Sequence, residues 1–370
     1  MIKILFFIPG LSEGGAEKVL CNLVNNMDQS KFDITVQTFD TYDSKKYLAE
    51  GIHYKTVNHC KSKIGKKIFS YWFRLCAELK LAYRFFIKDD YDIEIAYLET
   101  MATKIIAQSN NVKAKKLAWV HCDLSRKEGM EKSKEKVRMQ YKKYNKIICV
   151  SEDVRKGFYK LYGTDFDVVV LHNVIDEEEI FNKAEEPLAD LKKNADEIQL
   201  LAVGRLTQQK NFAYLVRTCG MLRDHGYKFH LNILGEGPEK NNLQAQINEL
   251  DLGDKISLRG FISNPYPWMK MSDIVVCSSK YEGISTVIQE ALILGKPVVT
   301  APCTGMRELL GNSEYGLIAN DSEEGLYIAI KQLLDESDIM NEYKIQAKKR
   351  GRAFFKENIR KRTEALFEMN

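Results

Sequence analysis

The chain has 370 residues, which is more than one ordinary hydrophobic core accommodates and favours about two domains. Its 45% hydrophobic and 29% charged residues exclude a disordered chain, and its 7 prolines and 22 glycines exclude a collagen-like or low-complexity chain. A net charge of +4 is too small to indicate a nucleic-acid-binding protein by itself. No apolar stretch reaches the ~18 residues that span a bilayer, and the apolar run at 4–8 is shorter than a signal-peptide core, so we expect a cytoplasmic chain.

Short apolar runs, rich in valine and isoleucine, are predicted as strands along the whole chain. The first half contains Ile2–Ile8, Phe32–Thr38, Ile93–Leu98, Lys116–Val120, Lys146–Val150 and Val168–Leu171. The second half contains Leu200–Val203, Phe229–Leu234, Lys255–Leu258, Ile274–Cys277, Pro297–Thr300 and Gly316–Ala319. Such runs are typical of buried parallel strands, and helical patterns lie between most of them. The sequence therefore predicts an α/β fold with two doubly wound, Rossmann-like parallel sheets.

The strand pattern restarts near Gln199, after a polar segment at 176–198 that we interpret as an interdomain connection. Doubly wound sheets bind ligands in the crevice at the carboxyl ends of their strands. We therefore expect the functional residues on loops that directly follow strands. A further helical pattern covers roughly 352–369.

The loop at 9–17 is the first that could bind an anion. Its glycines let backbone amides approach a phosphate at the start of a helix near Ala16, where the helix dipole favours negative charge. Neither the dinucleotide fingerprint nor the lysine of a P-loop is present. An ordinary glycine-containing turn between a strand and a helix is the alternative interpretation.

The loop after the strand at 200–203 carries two cations, Arg205 and Lys210. They are suited to clamping a diphosphate, the arginine by its planar fork and the lysine as a point charge. Surface charges at the start of a helix are the alternative.

The most specific signal pairs Glu282, in the loop after the strand at 274–277, with Glu290 in the helix that follows. Carboxylates accept paired hydrogen bonds from sugar or ribose hydroxyls, which gives both residues a role. The amides at 284–287 open that helix and would face an anion. One capping glutamate and one surface glutamate form the alternative.

Weaker signals are the turn at 235–239 and the polar pair Asn173 and Asp176, which either brace a hinge or cap a helix. Two Asp-x-Asp sequences, at 90–92 and 165–167, precede strands, which is the wrong end of a parallel sheet for a ligand. We therefore expect no metal site. The eight cysteines form no Cys-x-x-Cys pair and are expected to be mostly buried free thiols.

Taken together, these motifs resemble those of the family 4 nucleotide-sugar-dependent glycosyltransferases, and the resemblance covers nearly the whole chain. The resemblance rests on the Gly-Gly-Ala-Glu loop at 14–17, Gly204-Arg205-Leu206 with Lys210, the turn at 235–238, and Glu282 and Glu290 with the Gly-Lys-Pro-Val-Val sequence at 295–299. The resemblance implies the GT-B fold, in which two Rossmann-like domains flank an interdomain cleft. It implies an acceptor-binding domain at 1–180, on which the helix at about 352–370 packs, and a nucleotide-sugar-binding domain at 181–351.

The resemblance also implies site residues. Donor-binding positions would be Gly15, Arg205, Lys210, Ile262, Glu282, Gly283, Ile284, Ser285, Thr286, Val287 and Glu290. Arg205 and Lys210 would neutralise the diphosphate with help from backbone amides, Glu290 would bind the ribose, and Glu282 the transferred sugar. The base would lie near 260–264. Many relatives have glycine where this chain has Ser285, which leaves the sugar preference open.

His121 matches the active-site histidine of the family and would contact the donor sugar or the reacting acceptor oxygen, although an isolated histidine at a strand end is more often structural. It would act with Glu282 as a catalytic residue. In retaining enzymes of this family the donor phosphate is thought to accept the acceptor proton. Asp123 could orient His121, and acceptor-binding positions would be Glu13, Gly14, His121 and Asp123.

A basic and aromatic stretch at 61–88, and a second basic run at 126–146, suit an anionic membrane surface. A solvated helix face with its aromatic residues packed in the core is the alternative. Relatives that build cell-surface polysaccharides often use lipid-diphosphate acceptors, so we expect a peripheral enzyme on the inner face of the cell membrane.

The sequence thus predicts a retaining, metal-independent glycosyltransferase that needs no cofactor. It would move a hexose-type sugar from a nucleotide donor, with UDP preferred, to a lipid-linked or oligosaccharide acceptor, and would bind no nucleic acid. A sugar-nucleotide epimerase on the same fold and a non-catalytic basic binding module are the alternatives. A phosphorylase of the glycogen type would need a much longer chain.

Overall fold

The computed structural model describes residues 1–11, 14–39, 45–60, 62–126, 130–188 and 196–368. The chain forms two compact units, residues 1–174 with 356–370, and residues 175–355. Our sequence-based boundary lies at 180/181, whereas the first unit ends at Val174 and takes up the chain again at Lys356.

The first unit alternates strands and helices. Its strands are β1 (Ile2–Ile8), β2 (Phe32–Thr38), β3 (His53–Thr56), β4 (Ile93–Ala96), β5 (Lys115–Val120), β6 (Lys146–Cys149) and β7 (Val168–Val170). Its helices are α1 (Gly15–Asn26), α2 (Lys63–Glu78), α3 (Ala82–Phe86), α4 (Met101–Ile106), α5 (Met130–Tyr141) and α6 (Glu152–Tyr162), and α15 (Lys356–Glu368) returns to this unit. Short 3-10 turns cover Lys45–Tyr47 and Leu124–Arg126.

The second unit has the same alternation. Its strands are β8 (Ile198–Val203), β9 (Phe229–Leu234), β10 (Ile256–Gly260), β11 (Ile274–Cys277), β12 (Val298–Thr300) and β13 (Leu317–Ile318). Its helices are α7 (Glu177–Ala184), α8 (Phe212–Asp224), α9 (Lys240–Glu249), α10 (Tyr266–Met271), α11 (Thr286–Ile293), α12 (Met306–Leu310), α13 (Glu323–Asp335) and α14 (Ser337–Gly351), followed by a 3-10 turn at Arg352–Phe354.

Each unit is built on one parallel sheet. The strand order is β3-β2-β1-β4-β5-β6-β7 in the first and β10-β9-β8-β11-β12-β13 in the second, within the described residues. All the pairings are parallel, as predicted for doubly wound sheets. The chain reverses its direction of progress between β1 and β4 and between β8 and β11. Loops after these strands therefore border the crevices in which such sheets bind ligands.

Apolar runs buried on both faces explain why these segments form central strands. Residues 4–8 of β1 are wholly buried, and β11 and β12 are buried throughout. The helices cover the sheets with one apolar face each, such as the face of α8 that contributes Leu215, Val216 and Cys219 to the core of the second unit. Every strand predicted from the sequence is present, with ends that differ by at most two residues.

Two local features differ from the sequence interpretation. The edge strand β3 was not predicted, because its sequence His-Tyr-Lys-Thr is polar and half-exposed, as suits an edge. The segment at 176–198, which we interpreted as an interdomain connection, belongs to the second unit and contains the helix α7 in its described part. Asp176 caps this helix by accepting a hydrogen bond from the Glu179 amide at 3.1 Å, which confirms the capping interpretation.

The helix α15 packs on the first unit through Phe367, which is 2% exposed. Its ring meets Phe6, Phe32 and Trp119 edge-on, with ring centroids 6.1–6.4 Å apart. Glu364 accepts a hydrogen bond from the Asp28 amide at 2.9 Å. The sheet of this unit is therefore covered in part by residues distant in sequence.

Backbone contacts join two loops of the second unit. The Gly204 amide donates to Leu234 at 2.9 Å, and the Leu206 amide donates to Glu236 at 3.0 Å. Gly235 has a φ of +147°, and a Cβ on it would lie 1.9 Å from the carbonyl oxygen of Gly204. The turn at 235–238 is therefore a packing partner of the loop that carries Arg205.

No helix of the described residues is both long and apolar enough to cross a membrane.

The contact at Gly235 predicts a specific loss of stability. Gly235→Ala should destabilise the second unit by about 2 kcal/mol or more, because the new Cβ meets backbone that cannot move aside cheaply. That corresponds to a lower Tm by roughly 4–8 °C, measured by calorimetry. Gly253→Ala is the matched control, because a Cβ there meets nothing within 4 Å. Equal melting temperatures of the two variants would contradict the contact.

Candidate functional site

His121 follows β5 at the carboxyl edge of the first sheet. Its ring packs on that of Tyr97, which follows the neighbouring strand β4, with the centroids 4.9 Å apart. Burial lowers the pKa of the His121 imidazole, and the Glu99 carboxylate and a hydrogen bond to the Tyr97 backbone offset only part of this effect. The imidazole is therefore neutral near pH 7.

The Nε2 atom of His121 is buried and has no hydrogen-bond partner among the residues that the structure describes. The ring's hydrogen bond to the Tyr97 carbonyl then involves Nδ1, so Nε2 is the acceptor nitrogen of the neutral ring. A buried acceptor without a partner costs free energy until a donor reaches it. His121 is thus prepared to accept a hydrogen bond from a hydroxyl group.

Glu99 holds the backbone that carries His121, and sequence analysis missed it. Its Oε1 atom accepts hydrogen bonds from the backbone amides of His121 and Cys122, the latter at 3.0 Å. The next residue, Thr100, has a φ of +72°, which is uncommon for a residue other than glycine. A signal was present in the sequence, because Glu99 is a carboxylate just beyond a buried strand at the same sheet edge as His121.

Asp123 makes its hydrogen bonds within the turn that follows it. Its Oδ1 accepts hydrogen bonds from the Ser125 amide at 3.0 Å and from the Ser125 hydroxyl at 2.7 Å, and its Oδ2 lies 3.4 Å from Nε of Arg126. These contacts close the short 3-10 turn that follows it. Among the described residues, no hydrogen bond joins Asp123 to His121, and the roles of Asp123 in orienting His121 and in contacting an acceptor stay predictions.

The loop after β1 leads into α1 at the same sheet edge. Gly15 is the first residue of α1 and Gly14 its N-cap, as the sequence indicated for a helix near Ala16. Their amides lie at the positive end of the helix dipole. Glu13 lies outside the described residues. The donor contact of Gly15 and the acceptor contacts of Glu13 and Gly14 stay predictions.

A buried ion pair joins the loops after β8 and β11 in the second unit. Lys210 Nζ lies 2.6 Å from Glu282 Oε1, and the Ser279 hydroxyl donates to the same oxygen at 2.7 Å. Burial lowers the pKa of the Lys210 ammonium, but the Glu282 carboxylate, together with the nearby Cys277 and Cys303, raises it by more than burial lowers it. Thr304 fixes the Glu282 backbone, accepting from its amide at 3.1 Å and donating to its carbonyl at 2.7 Å.

All the recorded hydrogen bonds of the Glu282 carboxylate involve Oε1, so Oε2 has no partner within the described parts of the chain. Because Oε1 is occupied by Lys210 and Ser279, the remaining oxygen is the one able to accept from a ligand. The sequence motif identified Glu282 but gave no indication of Ser279 or Thr304.

Arg205 lies on the same loop as Lys210 but in different surroundings. Its side chain is exposed, and its guanidinium makes no ion pair or hydrogen bond with any described residue. The charge of Lys210, in contrast, is compensated by Glu282. Arg205 is therefore the cation of this loop that is free to meet an anion.

The start of α11 lies beside the ion pair. Ser285 is the N-cap of α11, and its hydroxyl makes no capping hydrogen bond. A cavity of about 10 Å³ separates this helix start from the β8 loop, and its walls come from Val203, Lys210, Phe212, Val276, Cys277, Ser278, Ser279, Ser285 and Val287. The structure thus brings the predicted residues Lys210, Ser285 and Val287 together.

The intervening loop packs closely on its neighbour. A Cβ on Gly305, which has a φ of +83°, would lie 2.8 Å from the carbonyl oxygen of Gly283. Ile284 is buried, and Thr286 opens the helix. The backbone at 283–287 is therefore held in place, while its contacts with a donor stay predictions.

Glu290 is buried in α11 and is joined to the loop that follows β10. The Tyr266 hydroxyl donates to Glu290 Oε1 at 3.0 Å, and burial together with Glu290 raises the pKa of Tyr266, which keeps it protonated. The Tyr266 amide donates to Asn264 Oδ1 at 3.2 Å. Tyr266 was not identified from the sequence, because an aromatic residue at a helix start has the pattern of a core residue. Ile262 is half-buried, and its contact with a base stays a prediction.

Both Asp-x-Asp sequences lie where their strands begin. Asp92 accepts from the Lys3 amide at 2.8 Å, Asp165 pairs with Arg138 at 2.8 Å, and Asp167 pairs with Lys146. They act as strand-start loops, as interpreted from the sequence. In the part of the chain that the structure describes, no group of three or more histidine, cysteine or acidic side chains is arranged to hold a metal ion.

Two family models match the chain in succession. Residues 13–179 match the model described as Glycosyltransferase Family 4, and residues 183–350 match the one described as Glycosyl transferases group 1. Together these segments span most of the sequence.

Curated relatives match about half of the chain. An N-acetylgalactosamine-N,N'-diacetylbacillosaminyl-diphospho-undecaprenol 4-alpha-N-acetylgalactosaminyltransferase of Campylobacter jejuni is 39% identical over 51% of this chain and 50% of its own. A lipopolysaccharide core biosynthesis glycosyltransferase, LpsD of Rhizobium meliloti, is 26% identical over 53% of this chain and 55% of its own. The match thus spans about half the length of these relatives.

Solved structures match over the full length. HepE of Anabaena in complex with UDP and glucose superposes with a TM-score of 0.80 at 19% identity and covers 100% of both chains. A variant of TarM of S. aureus, in complex with UDP and other ligands, gives a TM-score of 0.78 at 15% identity and the same coverage. At these identities the likeness concerns the fold, and it confirms the predicted GT-B class.

The succession of the two family models, in the order in which the two doubly wound units occur, agrees with the motifs found at their strand ends. The chain belongs to the group 1/family 4 glycosyltransferases.

Proposed function

We propose that the protein is a retaining, metal-independent glycosyltransferase. It transfers a hexose-type sugar from a nucleotide donor, with UDP as the preferred nucleotide, to a lipid-linked or oligosaccharide acceptor in cell-surface polysaccharide synthesis. The observation that carries this proposal is the difference between the surroundings of the two cations on the loop after β8. Lys210 is neutralised by Glu282, whereas Arg205 is exposed and unpaired among the described residues.

This arrangement suits a molecule with an anionic centre and flanking hydroxyls. Arg205 and the amides at the start of α11 offer positive potential to a diphosphate, and they stabilise the charge that the leaving nucleoside diphosphate gains. The open Oε2 atom of Glu282 accepts a hydrogen bond from the transferred sugar. Because Lys210 cancels its charge, Glu282 does not repel the diphosphate.

The nucleoside would be held by Glu290 and its neighbours. The Tyr266 hydroxyl positions the Glu290 carboxylate, and a carboxylate has several lone-pair sites with which it would also accept from ribose hydroxyls. The loop at 260–264, connected to Tyr266 by Asn264, offers backbone groups to the base. The stabilising effect of hydrogen bonds to a charged group is about 1.5–3 kcal/mol each, which is enough to select a ribose.

His121 would supply a hydrogen-bond acceptor in the first unit. Its neutral imidazole offers Nε2 as the acceptor, while Glu99 fixes the backbone that carries His121. In the retaining reaction that the family resemblance implies, the acceptor proton passes to the donor phosphate. His121 then orients a reacting hydroxyl rather than removing its proton.

The names of the relatives support the acceptor class. The Campylobacter enzyme is named for an undecaprenol-diphosphate-linked acceptor, and LpsD for lipopolysaccharide core biosynthesis. Two structural neighbours, HepE and the TarM variant, were solved in complex with UDP. We carry a lipid-linked acceptor and a UDP donor over to this chain as part of the proposal.

The helix α2 supports an association with anionic membranes. Apolar side chains with helical spacing are exposed along one face of this helix. They are Ile64, Ile68, Tyr71, Trp72, Leu75 and Leu79. None of the cations on or near this helix makes a salt bridge with a described residue. These cations are Lys63, Lys66, Lys67, Arg74, Lys80, Arg84 and Lys88. Exposed apolar side chains flanked by uncompensated cations complement a lipid surface with negative headgroups.

The second basic run, at 126–146, differs from α2 because several of its cations form salt bridges. Lys136 pairs with Glu78, and Arg138 and Lys142 pair with Asp165. The aromatic residues Phe69, Phe73 and Phe86 of the first stretch pack in the core, as the alternative interpretation expects. The membrane proposal therefore rests on the exposed face of α2 alone.

The donor site is tested by a thermal-shift panel of nucleoside diphosphates and their sugars without added metal. UDP and one UDP-sugar should raise Tm, since a ligand at 100 times its Kd stabilises by about 2.7 kcal/mol. Glu290→Ala should weaken UDP binding about 10-fold or more, through lost ribose contacts. Arg205→Gln should weaken UDP binding and leave uridine binding unchanged.

Glu249→Ala, at an exposed position on α9, is the control for these variants and should bind as the wild type does. A folded protein that no nucleotide stabilises would overturn the proposed function. Product formed from the donor in the absence of any acceptor would instead favour an epimerase.

Replacing His121 should affect turnover more than donor affinity. His121→Ala should lower kcat by about 100-fold or more with donor Kd almost unchanged. Because the pKa of His121 lies below the ordinary value of about 6.5, the wild-type rate should be level near pH 7 and fall at more acidic pH, as protonation removes the Nε2 acceptor. That acidic limb should vanish in the variant.

His53→Ala, on the exposed edge strand β3, serves as the control for His121. Turnover of His121→Ala equal to that of the wild type would show that its role is wrong.

The α2 face is tested by flotation with vesicles at low salt. The wild type should float with anionic vesicles, and the double change Ile68→Ser with Tyr71→Ser should reduce the bound fraction several-fold, because it removes exposed apolar area. Met139→Ser, an exposed apolar residue on α5, is the control. Absence of wild-type association with anionic vesicles would count against the membrane proposal.

A further inference from the structure

The second oxygen of the Glu99 carboxylate is open at the edge of the first sheet where His121 lies. Oε1 accepts from the backbone amides of His121 and Cys122, and these are all the recorded hydrogen bonds of this side chain. Oε2 therefore has no partner within the described residues. Although Glu99 is only 9% exposed, Oε2 is not among the fully enclosed polar atoms, so it is accessible from outside. A carboxylate only accepts hydrogen bonds, so the group that it lacks is a donor.

The register of the first sheet brings Glu99 and His121 to the same level. Ala96 of β4 pairs with Ala118 of β5, and Glu99 and His121 each lie three positions beyond their own member of this pair. The two residues are also in direct contact, since Glu99 Oε1 accepts from the His121 amide. His121 Nε2 is the other acceptor at this edge without a partner among the described residues. Two acceptor atoms on neighbouring strand ends thus face the same ligand space.

The backbone beside Glu99 is strained. Thr100 has a φ of +72°, which is a rare conformation for a β-branched residue. Such strain persists only where the surrounding contacts enforce it, and it is concentrated at binding and catalytic sites. The contacts around this turn are the two amide hydrogen bonds to Glu99 and the hydrogen bond that the Thr103 hydroxyl donates to the Leu98 carbonyl at 3.3 Å. The turn therefore holds the Glu99 carboxylate in one place.

The negative charge of Glu99 is not compensated by a neighbouring cation. No lysine or arginine in the described part of the chain forms an ion pair with it. The cations that flank the site are engaged elsewhere, Lys104 with Glu78 and Arg126 with Asp123. Like charges repel strongly where little water screens them. A ligand that reaches this edge must therefore donate hydrogen bonds and carry no negative charge there.

We propose that Glu99 is an acceptor-binding residue that selects a neutral sugar. Its Oε2 atom accepts a hydrogen bond from one hydroxyl of the acceptor sugar, while His121 Nε2 accepts from the neighbouring hydroxyl that reacts. The acceptor thus ends in a sugar with two adjacent free hydroxyls, and a carboxylate or phosphate beside the reacting hydroxyl is repelled. This inference rests on the proposed function, because it assigns the acceptor class of that same site.

The experiment measures Kd values by saturation-transfer NMR titration of the full chain, which requires no donor. The neutral probes are the methyl glycosides of glucose, galactose, mannose and N-acetylglucosamine, and methyl glucuronide is the anionic probe. At least one neutral glycoside should bind the wild type about 10-fold or more tightly than the glucuronide, because a hydrogen bond to a charged group is gained and a repulsion is avoided.

Glu99→Gln is the decisive variant. A glutamine oxygen still accepts from the two amides, so the fold and Tm should be retained, but an NH₂ group replaces Oε2 and the charge is lost. The preference for the neutral glycoside over the glucuronide should therefore fall to near unity. Glu135→Gln is the matched control, because Glu135 is an exposed carboxylate of the same unit without an ion pair to any described residue. It should leave the preference unchanged.

Three results would each overturn the proposal. They are wild-type protein that binds none of the neutral glycosides, equal Kd values for neutral and anionic probes, and an unchanged preference in Glu99→Gln. Failure of the proposed function is a separate result, since the thermal-shift panel reports nucleotide binding without any acceptor. Once a donor is known, Glu99→Gln should raise the acceptor KM about 10-fold and leave the donor Kd unchanged.

Discussion

The buried ion pair between Lys210 and Glu282 is the constraint on which the binding edge of the second unit depends. Removing one partner would leave the other charge uncompensated in largely buried surroundings, at a cost of up to roughly 3–5 kcal/mol. The pair therefore fixes the loops after β8 and β11 relative to each other. It also sets the local charge, because a neutralised lysine and a neutralised carboxylate leave Arg205 to determine the sign of the potential.

The two units use a common physical device. Each places polar residues after adjacent parallel strands at the carboxyl edge of its sheet, and in each an acceptor atom of a site residue has no hydrogen-bond partner within the described residues. In the first unit that atom is Nε2 of His121, and in the second it is Oε2 of Glu282. Such an acceptor can receive a hydrogen bond from a ligand hydroxyl, which is informative about ligand chemistry.

Much of the fold and of the candidate site could be predicted from the sequence, for a physical reason. Buried strands such as β1 and β11 are continuous apolar runs, and the residues after them fall at the ligand edge by topology alone. Glu99 and Tyr266 were missed because they act on other residues of the site rather than belonging to a motif. The hydrogen bonds of Asp123 to Ser125 were not foreseen, because proximity in sequence to His121 does not determine which hydrogen bonds a short turn will use.

The return of α15 to the first unit has a consequence for synthesis on the ribosome. The segment at 175–355 contains every strand of the second sheet, so that unit can complete its core as soon as it has emerged. The first sheet, although translated earlier, lacks the Phe367 contacts with Phe6 and Trp119 until the residues at 356–368 follow. The first unit therefore cannot finish folding before the second has been translated, and it exposes an apolar patch throughout translation of the second.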